Sequence, residues 1–333
     1  MIDLTPWGLA VGHSTDAAGA TGCTVVRGID GPFRASAALL GRASGTRELP
    51  TLDPEHLVDR VDAILLTGGS AYGLGAATGV MRWMEERERG YPVGPGVVPI
   101  VPGAVVFDLA PLGRFDARPS PQMGYDACHS ATSSDVAEGS VGVGTGTTVG
   151  KAAGFDHGMK GGFGMAEVST EVGRVVAMTV VNALGDVRDA QGAILAGARG
   201  QGDEFVDGEH LLGGGPSPSF VQVASAPAPG NTTLSVVATT APLARVELQQ
   251  LARAACAALH RRITPTGTTF DGDVIFAISP IGEQGDLRGD PAALLPLETL
   301  AVRALEQAIE RAVRTARGRD GVPGLADESW PPR

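Results

Sequence analysis

Apolar residues along this chain fall into runs of two kinds. Short continuous or β-branched runs predict buried strands at 22–27, from about residue 35, at 61–66, 173–182 and 233–239, and after the turn that opens at 268. Runs at helical spacing predict two long helices. Leu243, Val246, Leu248, Leu251, Ala255 and Leu259 form one face of a helix started by Pro242 and ending near Arg262. Leu297, Leu300, Ala301, Leu305, Ala308, Ile309 and Val313 form the face of another over about 293–317. Shorter helices are expected at 54–58, at 80–87 with a stop at Gly90, and near 125–131 inside a polar stretch. Prolines in 96–102 and 104–108 mark edge or bent strand pieces. Residues 185–230 are rich in Gly, Ala, Pro and acidic residues without periodicity, which predicts a mobile linker; the tail after Gly318 reads as loose. Strands interleaved with helices indicate a layered α/β architecture.

Composition narrows the function classes. A chain of 333 residues can bury one large or two ordinary cores. Net charge is −11, with no basic stripe interleaved with aromatics, which argues against nucleic acid and anionic membrane as partners. No apolar run is long enough to span a bilayer, and residues 1–7 lack a basic segment and an apolar core, so no secretory signal is expected. Cys23, Cys128 and Cys256 are scattered, and the six histidines form no HExxH pattern. A cytoplasmic protein without disulfide, metal or cofactor is expected.

The candidate chemistry starts at a junction. A Pro/Gly loop runs through Gly230 into Asn231-Thr232-Thr233 and then directly into a β-branched strand. Asn and Thr are ordinary at a loop-to-strand turn. Were the Asn231–Thr232 bond cut, however, Thr232 would carry a free α-amine beside its own hydroxyl, and a terminal amine is a known base for a weak nucleophile. Two glycine-rich segments accompany it. Thr67 to Gly75 follows a strand and precedes a helix, which suits an anion or equally close helix–strand packing. Gly142 to Ala152 invites a phosphate-loop reading that fails twice: Thr145 stands where the first glycine belongs, and Ala152 follows Lys151 where a hydroxyl is needed.

Four motifs in order resemble one family: Gly68-Gly69-Ser70-Ala71-Tyr72-Gly73-Leu74, Thr148-Val149-Gly150-Lys151, Gly230-Asn231-Thr232-Thr233, and Phe270-Asp271-Gly272-Asp273-Val274-Ile275-Phe276-Ala277. The resemblance, from about residue 8 to 316, is to the P1 peptidases, also called the S58 or DmpA family. That group includes aminopeptidases, β-peptidyl aminopeptidases and nylon-oligomer (6-aminohexanoate) endohydrolases. It implies a single N-terminal-nucleophile hydrolase domain in a four-layer α-β-β-α sandwich, of the kind shared with ornithine acetyltransferases. It further implies self-cleavage into fragments 1–231 and 232–333 that stay together, and assembly into homotetramers. By the same resemblance Thr232 is the nucleophile, Asn182 an oxyanion donor, Lys151 and Tyr72 active-site residues, and Asp271 with Asp273 the acidic pair of the threonine branch. Serine members differ at these positions, which separates their substrate preferences from those of this chain. The expected reaction is hydrolysis of a small peptide or amide; acyl transfer to an amine and an unprocessed scaffold are the competing readings. Chemically, Asp271 and Asp273 lie two apart on an extended segment, so they face one side and can orient the Thr232 amine or Lys151.

Overall fold

Ten strands build two five-stranded sheets of the same pattern, and this is what places the Asn231–Thr232 junction. The first sheet contains β1 (Leu9–Asp16), β2 (Thr21–Gly28), β4 (Thr46–Arg47), β5 (Ala63–Thr67) and β6 (Gly103–Val105), in the order β1-β2-β5-β6-β4. The second contains β3 (Phe33–Gly41), β7 (Gly162–Thr170), β8 (Gly173–Asn182), β9 (Thr232–Thr239) and β10 (Gly272–Pro280), in the order β7-β8-β9-β10-β3. Each sheet has one parallel pair, β5 with β6 and β9 with β10, and all other neighbours are antiparallel. A parallel pair needs a crossover. Helix α1 (Ala77–Glu85) lies on the first connection and α4 (Arg245–Arg262) on the second; α2 (Pro121–His129), α3 (Gly208–Gly213) and α5 (Pro291–Arg314) are the other α-helices among the described residues. This computed structural model describes residues 2–200, 204–215, 230–282 and 291–328.

Alternation along the strands divides the core into layers. Val11, Val26, Ile64 and Leu66 of the first sheet meet Met178, Val236 and Phe276 of the second in a core between the sheets. The opposite face of the second sheet, with Val175, Ala177, Val237 and Ile275, packs under Leu251, Ala255 and Leu259 of α4 and Leu305 and Ile309 of α5. The opposite face of the first sheet, with Val25 and Leu65, packs under Val80 and Trp83 of α1 and Ala127 of α2. Each large apolar side chain fully buried in these cores contributes about 1.5–3 kcal/mol. Among the described residues no helix is long and apolar enough to cross a membrane.

The structure departs from the sequence expectation in four places, the first being 54–58, which forms turns and loop on the way to β5 and not a helix. Pro242 precedes α4 rather than opening it, and the helix begins at Arg245 with the Glu247 carboxylate capping the Ala244 N–H at 2.6 Å. Within 185–230, Asp186–Arg188 pairs with Ile194–Ala196 on one side and Ile263–Thr264 on the other in a small sheet instead of forming a linker. The reason is a polar staple: the fully buried Asp186 carboxylate accepts the Ala198 N–H at 2.8 Å and the Gly208 N–H at 2.7 Å. Residues 201–203 and 216–229 of that stretch lie outside the described residues. The tail after Gly318 is held as well, because the Pro323 carbonyl accepts the Lys160 N–H at 2.8 Å and Asp327 accepts the N–H groups of Gly318 and Gly324.

Candidate active site at the head of a strand

Thr232 is the first residue of β9, and its register partner on β8 is Asn182, the last residue of that strand. Leu234 and Val236 face the core between the sheets, so alternation sends Thr232 to the same side, and Asn182 follows Val176, Met178 and Val180 there. Thr232 is only 3 % exposed. Its hydroxyl donates to the carbonyl of Asn231 at 2.6 Å, and the same carbonyl accepts the Gly272 N–H at 2.8 Å. A side chain at Gly272 would push the head of β10 off the segment that follows β3, since an added Cβ would lie 2.6 Å from the Ala43 carbonyl oxygen. The bond after Asn231 is therefore flanked by a hydroxyl on one side and a fixed amide donor on its oxygen.

Asn182 is held from three directions. Its Oδ1 accepts the Thr148 N–H at 3.0 Å and Lys151 Nζ at 3.1 Å, while its Nδ2 donates to the carbonyls of Phe107 at 3.0 Å and Gly230 at 3.3 Å. Lys151 Nζ also donates to the Asn182 carbonyl at 3.3 Å. Lys151 is buried, which pushes its ammonium down to about 7, while the Asp271 charge pulls the other way. Gly150 precedes it in the left-handed region (φ +69°), and an added Cβ there would lie 2.0 Å from the Gly197 carbonyl carbon.

The acidic pair occupies the other face of the sheet. Asp273 alternates with Val274 and Phe276 and so points with Ile275 and Ala277 toward α4 and α5. The Cys256 thiol of α4, pushed up to about 11 by burial and then by the Asp273 charge, marks that proximity. Asp273 Oδ1 accepts the Thr233 N–H at 2.6 Å and Oδ2 the Thr266 hydroxyl at 3.1 Å. Burial, then the charge of Asp271, pushes Asp273 up to about 8. Asp271 bridges Asn231 across the strand heads, accepts the Thr268 N–H at 2.8 Å, and is also raised, by burial. From this face the Asp273 carboxylate reaches the Thr233 N–H beside Thr232 but not the Thr232 hydroxyl, which lies across the sheet.

Tyr72 stands apart from this set. It lies in the helical turn Ser70–Ala76, 57 % exposed, with its ring edge-on to Phe115 and the Arg118 guanidinium 3.6 Å from the ring centroid. Its segment is nevertheless tied to the site, because Ser70 and Gly69 donate N–H groups to Val106 and Asp108, the neighbours of Phe107.

Several supporting residues escape sequence reading: Phe107 and Gly272 act through backbone atoms, and Thr266 and Thr268 look like ordinary turn residues. Lys160 is the largest omission. It is fully buried, and its Nζ donates to the carbonyls of Gly144, Thr145 and Thr147 at 3.2, 3.0 and 2.8 Å, anchoring the glycine-rich segment that presents Thr148 to Asn182. Its only signal was a lysine inside a glycine-rich apolar stretch. Among the described residues no cluster of His, Cys, Asp and Glu could hold a metal ion.

Comparison with known proteins yields a consistent set. Residues 5–326 match the model of peptidase family S58. The chain is 42 % identical over 329 residues to an uncharacterized aminopeptidase of Mycobacterium leprae, covering 93 % of this chain and 88 % of the relative. It is 30 % identical over 273 residues to a 6-aminohexanoate-oligomer endohydrolase of a Kocuria species, covering 82 % and 73 %. Among solved structures it superposes with a TM-score of 0.68 on the L-aminopeptidase D-Ala-esterase/amidase of Ochrobactrum anthropi, described as a variant of the Ntn hydrolase fold; identity is 20 %, with 96 % of this chain and 89 % of that one covered.

Proposed function

Because the chain belongs to peptidase family S58, we propose that it is a self-processing hydrolase of small amide or peptide bonds with Thr232 as its N-terminal nucleophile. On this reading the layers described above form the four-layer α-β-β-α sandwich of N-terminal-nucleophile hydrolases. The observation that carries the proposal is the Asn231 carbonyl, which accepts both the Thr232 hydroxyl and the Gly272 N–H. Attack of Thr232 Oγ on that carbonyl carbon breaks the C–N bond and leaves an ester, with negative charge developing on an oxygen already held by Gly272. Water then opens the ester and releases fragments 1–231 and 232–333.

Cleavage supplies what the uncut chain lacks. Thr232 gains an α-amine whose unperturbed pKa of about 7.7–8.0 suits a general base near neutral pH. The face on which Asp271 and Asp273 lie gives them access to that amine, so they hold the base while the hydroxyl attacks from the opposite side. Departure of Gly230 frees one N–H of Asn182, which then serves the oxyanion of the acyl intermediate. Lys151 keeps the Asn182 carboxamide turned the right way. Thr232 Oγ attacks the substrate carbonyl as its proton passes to the α-amine and from there to the leaving amine of the substrate. Water then hydrolyses the ester on Oγ, releasing the acid and restoring the hydroxyl. The names of the relatives point to amino-terminal residues of small peptides or to aminohexanoate oligomers as substrates.

The test is the intact mass of purified protein, with N-terminal sequencing and a panel of amino-acid p-nitroanilides and aminohexanoate oligomers. Wild type is expected as two fragments, the smaller beginning Thr-Thr-Leu-Ser-Val, and Thr232→Ala as one inactive chain. A wild-type protein that hydrolyses these amides while uncut overturns the scheme.

A further inference from the structure

The turn leading into β10 supplies a donor set to each carboxylate of the acidic pair. Thr268 gives Asp271 its backbone N–H and its hydroxyl. Thr266 gives its hydroxyl to Asp273 Oδ2 at 3.1 Å, and the Gly267 N–H joins it on the same carboxylate. The other oxygen of Asp273 is taken by the Thr233 N–H at 2.6 Å. Asp273 is thus held between this turn and the residue that follows the nucleophile.

We infer that Thr266 is a positioning residue for the reaction: its hydroxyl sets the rotation of the Asp273 carboxyl, which through the Thr233 N–H fixes the head of β9 and the α-amine of Thr232. The inference rests on the reading of Thr232 and Asp273 given above. A carboxyl bonded at one oxygen swings easily, because the torsion between tetrahedral and planar carbon is broad. Asp273 has particular reason to swing when ionised, since the charge of Asp271 disfavours its carboxylate form. Bonds at both oxygens remove that freedom. Thr266 itself is half-buried in a turn and contributes to none of the three apolar cores. Its loss should therefore register in the geometry of Asp273 before it registers in packing.

The experiment is a double-mutant cycle on fully cleaved protein, with Thr266→Val, Thr266→Ser, Asp273→Ala and the Val/Ala double variant assayed on amino-acid p-nitroanilides. Thr266→Val should lower kcat about tenfold, the equivalent of ~1.4 kcal/mol of barrier, with KM unchanged. Thr266→Ser, which keeps the hydroxyl, should restore the rate. In the Asp273→Ala background Thr266→Val should have no further effect, because its route of action is gone. The same cycle is read on the rate of self-cleavage where a variant processes slowly. Multiplicative losses in the double variant, or failure of Ser to rescue, would overturn the role of Thr266 alone. Undiminished turnover in Asp273→Ala would overturn the parent reading of the acidic pair, and with it this one.

Discussion

Replacing Asn182 by alanine tests the site at its most connected residue. The carboxamide makes four hydrogen bonds, to Phe107, Gly230, Thr148 and Lys151, between 3.0 and 3.3 Å. Truncation orphans the buried Thr148 N–H, which costs about 1–3 kcal/mol, with a smaller loss at Phe107. Lys151 loses its contact at Oδ1 and keeps only the Asn182 carbonyl at 3.3 Å. Burial has already pushed it down to about 7, so it responds by giving up its proton rather than by unfolding the chain. Against a total stability of about 5–15 kcal/mol the fold survives. The kinetic loss is larger: one oxyanion donor is worth ~2.7–4 kcal/mol, or about 10²–10³ in kcat. KM should hardly move, because the interaction is made in the transition state. Thermal unfolding separates the two effects, and steady-state hydrolysis of a p-nitroanilide by the cleaved fraction measures the second. A kcat within about threefold of wild type would refute the assignment of Asn182 as an oxyanion donor.

Two further outcomes follow from the same geometry. Gly272→Ala should slow self-cleavage and lower the unfolding temperature, because its Cβ would stand 2.6 Å from the Ala43 oxygen and displace the N–H that holds the Asn231 carbonyl; normal processing on a denaturing gel would count against that N–H. Uncut Thr232→Ala protein should lose stability as pH rises from about 4, where an unfolded Asp releases its proton, to about 8, where the folded Asp273 does. Lys151 and Lys160, both pushed down to about 7, act in the opposite sense above that pH, since the unfolded chain then binds protons the folded chain has lost. Adding Asp273→Asn should flatten the fall between pH 4 and 8 in urea titrations, and parallel curves for the two proteins would show that Asp273 does not carry it.

The sequence by itself determined the elements and the candidates. Continuous β-branched runs became β5, β8, β9 and β10, and the apolar stripes became the buried faces of α4 and α5, because burial leaves a period that is read one residue at a time. The junction at Asn231–Thr232 and the shared face of Asp271 and Asp273 were legible for the same local reason. Only the tertiary structure decided that this face is opposite the Thr232 hydroxyl, because strand alternation becomes a direction only once the two cores are assigned. It alone showed that the N–H groups of Asn182 are occupied by Phe107 and Gly230 in the uncut chain, and that Tyr72 packs outward on Phe115 and Arg118. It also revealed Lys160 beneath the glycine-rich segment and the staple of Asp186 in a stretch that reads as linker. These are polar contacts, many between residues far apart in the chain and many made by backbone atoms. Hydrogen bonds of that kind impose no period on a sequence, so they exist as information only after the chain has folded.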